Sequence, residues 1–158
     1  MKKLLLTVLF FMFVAVYTFS DSVTSQVSED EFSGNKSIII TINDSDSSFQ
    51  LYYVQNMNSE KQTSTIILAD KNDMFGPEGF ANKIQYFFDN DRNNTIEIYG
   101  INYDYNMIII KNTEKDTMLS GLLKHDKLVM KVFDQDLFGS RVYVLGIEKF
   151  RKEYKKYF

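Results

Sequence analysis

Eight short runs rich in β-branched and aromatic residues recur between residues 37 and 146, each bounded by Asn, Asp, Ser or Gly: SIIITIN, FQLYYVQNM, TSTIILAD, ANKIQYFFD, NTIEIYGI, NMIIIKN, KLVMKVFD and SRVYVLG. Runs of this length and composition between turn-forming clusters read as strands. In ANKIQYFFD, Ile84, Tyr86 and Phe88 share one face, and in KLVMKVFD Leu128, Met130 and Val132 do the same, the period-two alternation of a half-buried strand. SIIITIN and NMIIIKN have no polar face along their Ile triplets, which places them nearer the centre of a two-layered structure. The expected fold is mainly β, an antiparallel β-sandwich or flattened barrel of about eight strands, with its core filled by the chain's own aromatic residues.

Two segments break the strand pattern. In EKDTMLSGLLK, Met118, Leu119 and Leu122 fall on one helical face, and Thr113 with Asp116 supplies a capping-box pattern before it. At the C-terminus, IEKFRKEYKKYF places Ile147, Phe150, Tyr154 and Tyr157 on an apolar stripe, with Lys149, Lys152, Lys155 and Lys156 largely outside it. One short helix and one amphipathic C-terminal helix are therefore expected, the latter docked on the sheet.

The N-terminus points to export. Lys2 and Lys3 precede a 16-residue apolar run from Leu4 to Phe19, and Thr18 and Ser20 are small residues in the arrangement of a cleavage site. The run is shorter than the roughly 20 residues that span a bilayer, so 1–20 reads as a cleaved signal peptide of bacterial type, leaving no stable membrane span. The polar, acidic stretch 21–35 has no hydrophobic periodicity and reads as a flexible tether before a single domain over 36–158. A periplasmic or extracellular location follows. With no Cys in the chain, disulfides, thiolate metal sites and lipidation of a Cys after the leader are excluded. The segment 21–147 carries 11 basic and 19 acidic residues while 148–158 carries 5 and 2, so no basic block offers a nucleic-acid footprint.

Candidate chemistry is sparse. In DNDRNNTIEIYG, residues 89 to 100, Asp89, Asp91 and Asn93 alternate as in the first half of an EF-hand loop. The twelfth position is Gly100, which has no side-chain ligand, and both flanks read as strands. A hairpin turn is the expectation and a calcium site the weak alternative, with Asn94 placed to adopt left-handed backbone. Other acidic turns, Asp44 with Asp46, Asp70 with Asp73 and Glu78, and Asp134 with Asp136, read as solvated. His125, the only histidine, sits in the link between helix and strand. There is no G-x-S-x-G, no H-E-x-x-H and no second His, so no catalytic residue, metal site or cofactor is assigned. The loop KNDMFGPEGF, residues 71 to 80, holds Met74, Phe75 and Phe80 around the only Pro, and reads either as a plug for one end of the sheet or as a binding loop.

From about residue 65 onward the hydrophobic layout resembles small exported bacterial proteins of the VasI-type and invasion-associated locus B-like group. The resemblance rests on YFFD at 86–89 with its hairpin partner, and on LLKHDKLVMKV followed by RVYVLGIEKFRKEY, in which a last strand leads through Gly146 into a terminal helix. Members commonly carry Trp in core strands and paired Cys, neither of which occurs here; Tyr99 takes a Trp-like place. What the resemblance implies is a cell-envelope accessory protein without catalytic residues. The expected function is a non-catalytic binding domain contacting envelope proteins, and the alternative is a small-ligand or lipid carrier with an apolar cavity inside a barrel.

Overall fold

The computed structural model describes residues 22–29, 35–57, 63–72, 75–133 and 139–158. The expected leader over 1–20 lies outside them, as do Asp73, Met74, Asp134 and Asp136. The chain is mainly β. Nine antiparallel strands form one sheet in the order β1-β2-β3-β4-β7-β6-β5-β8-β9. The strands are β1 Val23–Glu29, β2 Lys36–Asn43, β3 Phe49–Asn56, β4 Ser64–Asp70, β5 Ala81–Phe88, β6 Ile96–Asp104, β7 Met107–Ile110, β8 Lys127–Phe133 and β9 Ser140–Gly146; the helices are α1 Asn112–Leu122 and α2 Phe150–Tyr154.

All eight expected runs are strands, and alternation sorts their side chains. Ile38, Ile40 and Ile42 of β2, Phe49, Leu51 and Tyr53 of β3, Ile66 and Leu68 of β4, and Ile84 and Tyr86 of β5 are all buried on one face. A flat sheet of nine strands could not bury a whole face with two short helices. This one curls over itself instead, as strand twist permits. Phe49 of β3 stacks on Tyr143 of β9, ring centroids 3.8 Å apart at 17°, so strands far apart in sheet order meet face to face. The Tyr143 hydroxyl then donates to the buried Asp70 Oδ2 of β4 at 2.6 Å. The edges β1 and β9 do not pair, which leaves the sheet a flattened, sandwich-like form and not a closed barrel.

The C-terminal segment fills the seam. Phe150 of α2 and Tyr154 pack on Tyr53 at 6.2 and 5.6 Å between centroids. Ser25 of β1 donates to Glu153 Oε2 at 2.5 Å, tying the edge strand to the same helix. The helix proper is only five residues long, but the expected stripe does face the core: Ile147 and Phe150 are buried and Tyr154 and Tyr157 pack against them. Helix α1 inserts Met118 and Leu122 into the same core. Its capping box does not form, because the chain enters the helix at Lys111 and no side chain caps it.

The tether expectation needs correction. Val23–Glu29 is strand β1, paired with β2 from Val23 opposite Ile42 to Glu29 opposite Lys36. Backbone pairing stabilises an edge strand whose side chains are mostly exposed. Such a strand has little hydrophobic pattern to show.

Candidate functional site

The residues 89–95 connect β5 to β6 as a hairpin, with a single 3-10 turn at Arg92–Asn94. The left-handed residue is Asp89, φ 53°, and not Asn94. From that conformation its carboxylate turns away from the loop and toward the link after α1. Oδ2 meets His125 Nδ1 at 2.8 Å, while Oδ1 accepts the backbone N–H groups of Asp126 and Lys127 at 3.2 and 3.1 Å. Asp91 Oδ2 accepts instead from Asn94 Nδ2 within the turn. Asp89, Asp91 and Asn93 therefore do not form a common oxygen cage, and among the described residues no three His, Cys, Asp or Glu side chains gather where they could hold a metal ion.

His125 lies flat on Phe88, centroids 4.8 Å apart at 13°, and no hydroxyl is among its described partners. The hydrogen bond from His125, helped by the two backbone amides, holds the Asp89 carboxyl below its ordinary value of 3.8. A folded-state carboxyl with a lowered pKa contributes stability above its unfolded value, and that contribution is lost as pH falls through the lowered one. Replacing His125 by Ala is expected to lower stability slightly, by less than about 1 kcal/mol, at about pH 7, where the contribution is fully present, and the difference from wild type should vanish as pH falls below 3.8 through the lowered value. Urea midpoints measured across that range for the two proteins provide the check.

The 71–80 loop divides its apolar residues. Phe75 is 2% exposed and belongs to the core, whereas Phe80 remains exposed. Met74 lies outside the described residues. The loop is pinned by two buried asparagines that sequence reading passed over. Asn102 Nδ2 lies within 2.7, 2.9 and 3.2 Å of the carbonyls of Phe75, Gly76 and Pro77, and Asn82 Nδ2 donates to Phe75 O at 2.9 Å and to Asn102 Oδ1. Their signal was parity. Asn82 shares the inward face with Ile84 and Tyr86, and Asn102 shares it with Ile98 and Gly100, so each is a polar residue at a core position. The Asp44–Asp46 turn is local, Asp44 accepting from Ser48 and the Phe49 amide and Asp46 from the Ser48 amide, whereas Asp70, expected in a solvated turn, is buried and accepts from the Tyr143 hydroxyl across the fold.

The opposite face of the sheet carries the most distinctive surface. Tyr99, Ile101 and Tyr103 project on the outer side of β6, at 58%, 49% and 59% exposure, and Tyr105 follows in the turn. Register aligns Ile101 with Ile109 of β7, and Ile109 with Ile67 of β4, so apolar side chains run across three strands. Between them lies a hollow of about 190 Å³ lined by Ile67, Tyr103, Met107 and Ile109. A contiguous exposed patch of aliphatic and tyrosyl groups is the composition found at the centre of protein interfaces.

Compared with known proteins, the chain matches no family model, no curated protein and no solved structure. The functional reading therefore rests on the surfaces and on the interior. The largest fully buried side chains include Tyr53, Tyr86, Phe49, Phe75 and Phe150, which occupy the space between the curled halves of the sheet. Burial pushes the Tyr86 hydroxyl up to about 12, and that hydroxyl has no hydrogen-bond partner among the described residues. Among the described residues no helix is long and apolar enough to cross a membrane.

Proposed function

We infer that the chain is an exported bacterial envelope protein that acts by binding another envelope protein, without catalysis, through the outer face of β4, β7 and β6. The observation that carries this reading is the row of half-buried Ile67 and Ile109 and exposed Ile101, with exposed Tyr99 and Tyr103 beside it, presented on paired strands with no layer over it among the described residues. Tyrosines of this kind supply large contact area with few rotatable bonds, and they concentrate binding energy at interfaces. Export rests on the Lys-led apolar N-terminus. The envelope accessory role agrees with the layout shared with VasI-type and invasion-associated locus B-like proteins.

A carrier that holds its ligand inside the sheet is less well supported. Such a protein needs an internal hole of some 300 Å³ or more. Here aromatic side chains occupy that region, and the hollows are open on the surface.

The test is affinity capture from envelope extract with the wild-type protein and with an Ile101→Ser, Tyr103→Ser double variant. Both positions are exposed, so the fold should survive, which circular dichroism verifies. A partner retained by wild type and lost by the variant is the expected result, with a loss of affinity of at least tenfold. Equal capture by both proteins would remove the outer face of β6 from the proposal.

A further inference from the structure

A second surface feature, separate from the β6 row, lies on the outer face of β5, β8 and β9. Register pairs Phe87 with Val129 and Val129 with Val144, and in the next row pairs Gln85 with Lys131 and Lys131 with Val142. The β5–β6 connection rises beside these rows and contributes Arg92 and Thr95 as a wall. The result is a groove of about 330 Å³ whose floor is Phe87, Val129 and Val142 and whose cations are Arg92 and Lys131. Val142 is 61% exposed, so the floor is open to solvent.

The charges in this groove are unbalanced. Neither Arg92 nor Lys131 has a carboxylate partner among the described residues. The nearest acid in register is Glu97, whose strand neighbour Gln85 stands between it and Lys131. That carboxylate is already engaged, by Lys83 Nζ at 2.7 Å and by Gln85 Nε2 at 3.0 Å. Lys131 instead holds its ammonium over the Phe133 ring, 4.6 Å from the centroid, a contact that brings no carboxylate to it among the described residues. Two cations bordering an apolar floor repel each other weakly and leave oily surface in water. Both costs fall when the groove takes a molecule with a single anionic head and an apolar body.

The geometry points to a binding site for an acyl-chain carboxylate, its head between Arg92 and Lys131 and its chain along Phe87, Val129 and Val142. An inorganic anion would leave the floor uncovered, and a neutral lipid would desolvate two cations without compensation. The volume sits at the lower end of small-molecule sites, which favours a chain of medium length. This reading stands apart from the β6 interface: the two use different strands, and either can fail alone.

Titration of the protein with decanoate, followed by backbone amide shifts, tests it, with decanol and acetate as the tail-only and head-only probes. The expected result is saturable decanoate binding below its micelle concentration, with the largest shifts at Phe87, Val129 and Val142. Arg92→Gln and Lys131→Gln should each weaken it about tenfold, since each removes one charge-assisted contact. Decanol and acetate should bind at least tenfold more weakly than decanoate. Decanoate that fails to saturate, decanol that binds as well, or charge variants that bind like wild type would each overturn the assignment.

Discussion

Asn102→Asp is expected to destabilise the protein by about 3–5 kcal/mol and to release the loop around Phe75. The substitution keeps the shape of the side chain and changes only its amide nitrogen into oxygen. That nitrogen faces the carbonyls of Phe75, Gly76 and Pro77 and is their hub. An ionised carboxylate there would be a buried charge facing three acceptors, and Asn102 is 1% exposed. Asn102→Leu removes the donor without adding charge. It should cost less, roughly 2–4 kcal/mol, because the carbonyls lose their partner while the site becomes apolar. Phe75 O keeps its bond from Asn82, so the release should be greatest at Gly76 and Pro77. Urea denaturation gives the stability difference, and hydrogen exchange at Gly79, whose amide bonds to Asn102 O, reports the loop. Changes within about 0.5 kcal/mol for both variants would show that the loop is held by Phe75 packing alone.

The same residue shows what the sequence made legible and what it did not. The eight strands were readable because each buries one side, and burial writes itself as alternation of residue type. β1 was not readable. VTSQVSE has only Val23 and Val27 as apolar residues, Val27 is exposed, and the strand is held by backbone pairing that leaves no mark on side-chain choice. The buried polar set was legible in principle from parity, since Gln55, Asp70, Asn82 and Asn102 all fall at inward positions of their strands. Polarity alone reads Asp70 as part of a solvated turn, whereas phase along the strand places it, like the other three, inside.

The candidate site was harder for a related reason. β6 is apolar on both parities: Ile98 faces in, while Tyr99, Ile101 and Tyr103 face out. A strand of that composition reads equally well as one covered on both sides, as in a sandwich core. Only the topology, which among the described residues leaves no layer over β4, β7 and β6, distinguishes the two. Likewise the pairing of Asp89 with His125 joins residues 36 apart in sequence and depends on the left-handed backbone at Asp89, which favoured Asn94 on residue preference alone.

Gly100 gives the second large expected effect. It lies on the inward face of β6, and a Cβ placed there would stand 2.1 Å from Ile108 Cγ2 and 3.2 Å from Ile84 Cδ1. Ile108 is fully buried on β7, and its Cγ2 is bonded directly to Cβ, so the methyl can move away only if χ1 leaves its preferred rotamer in a packed core or the strand moves. Gly100→Ala should therefore cost about 2–3 kcal/mol through overpacking, despite the entropy that Ala saves in the unfolded chain. Ile108→Ala alone should cost about 2–5 kcal/mol by leaving a cavity. The cavity from the second substitution receives the methyl of the first. The double variant should thus be more stable than the sum of the single effects predicts, by about 1–2 kcal/mol. Thermal or urea unfolding of the four proteins measures that coupling. Strict additivity would mean that the strand backbone shifts to accept the added methyl without help from Ile108, and that β6 and β7 are held less tightly than their register implies.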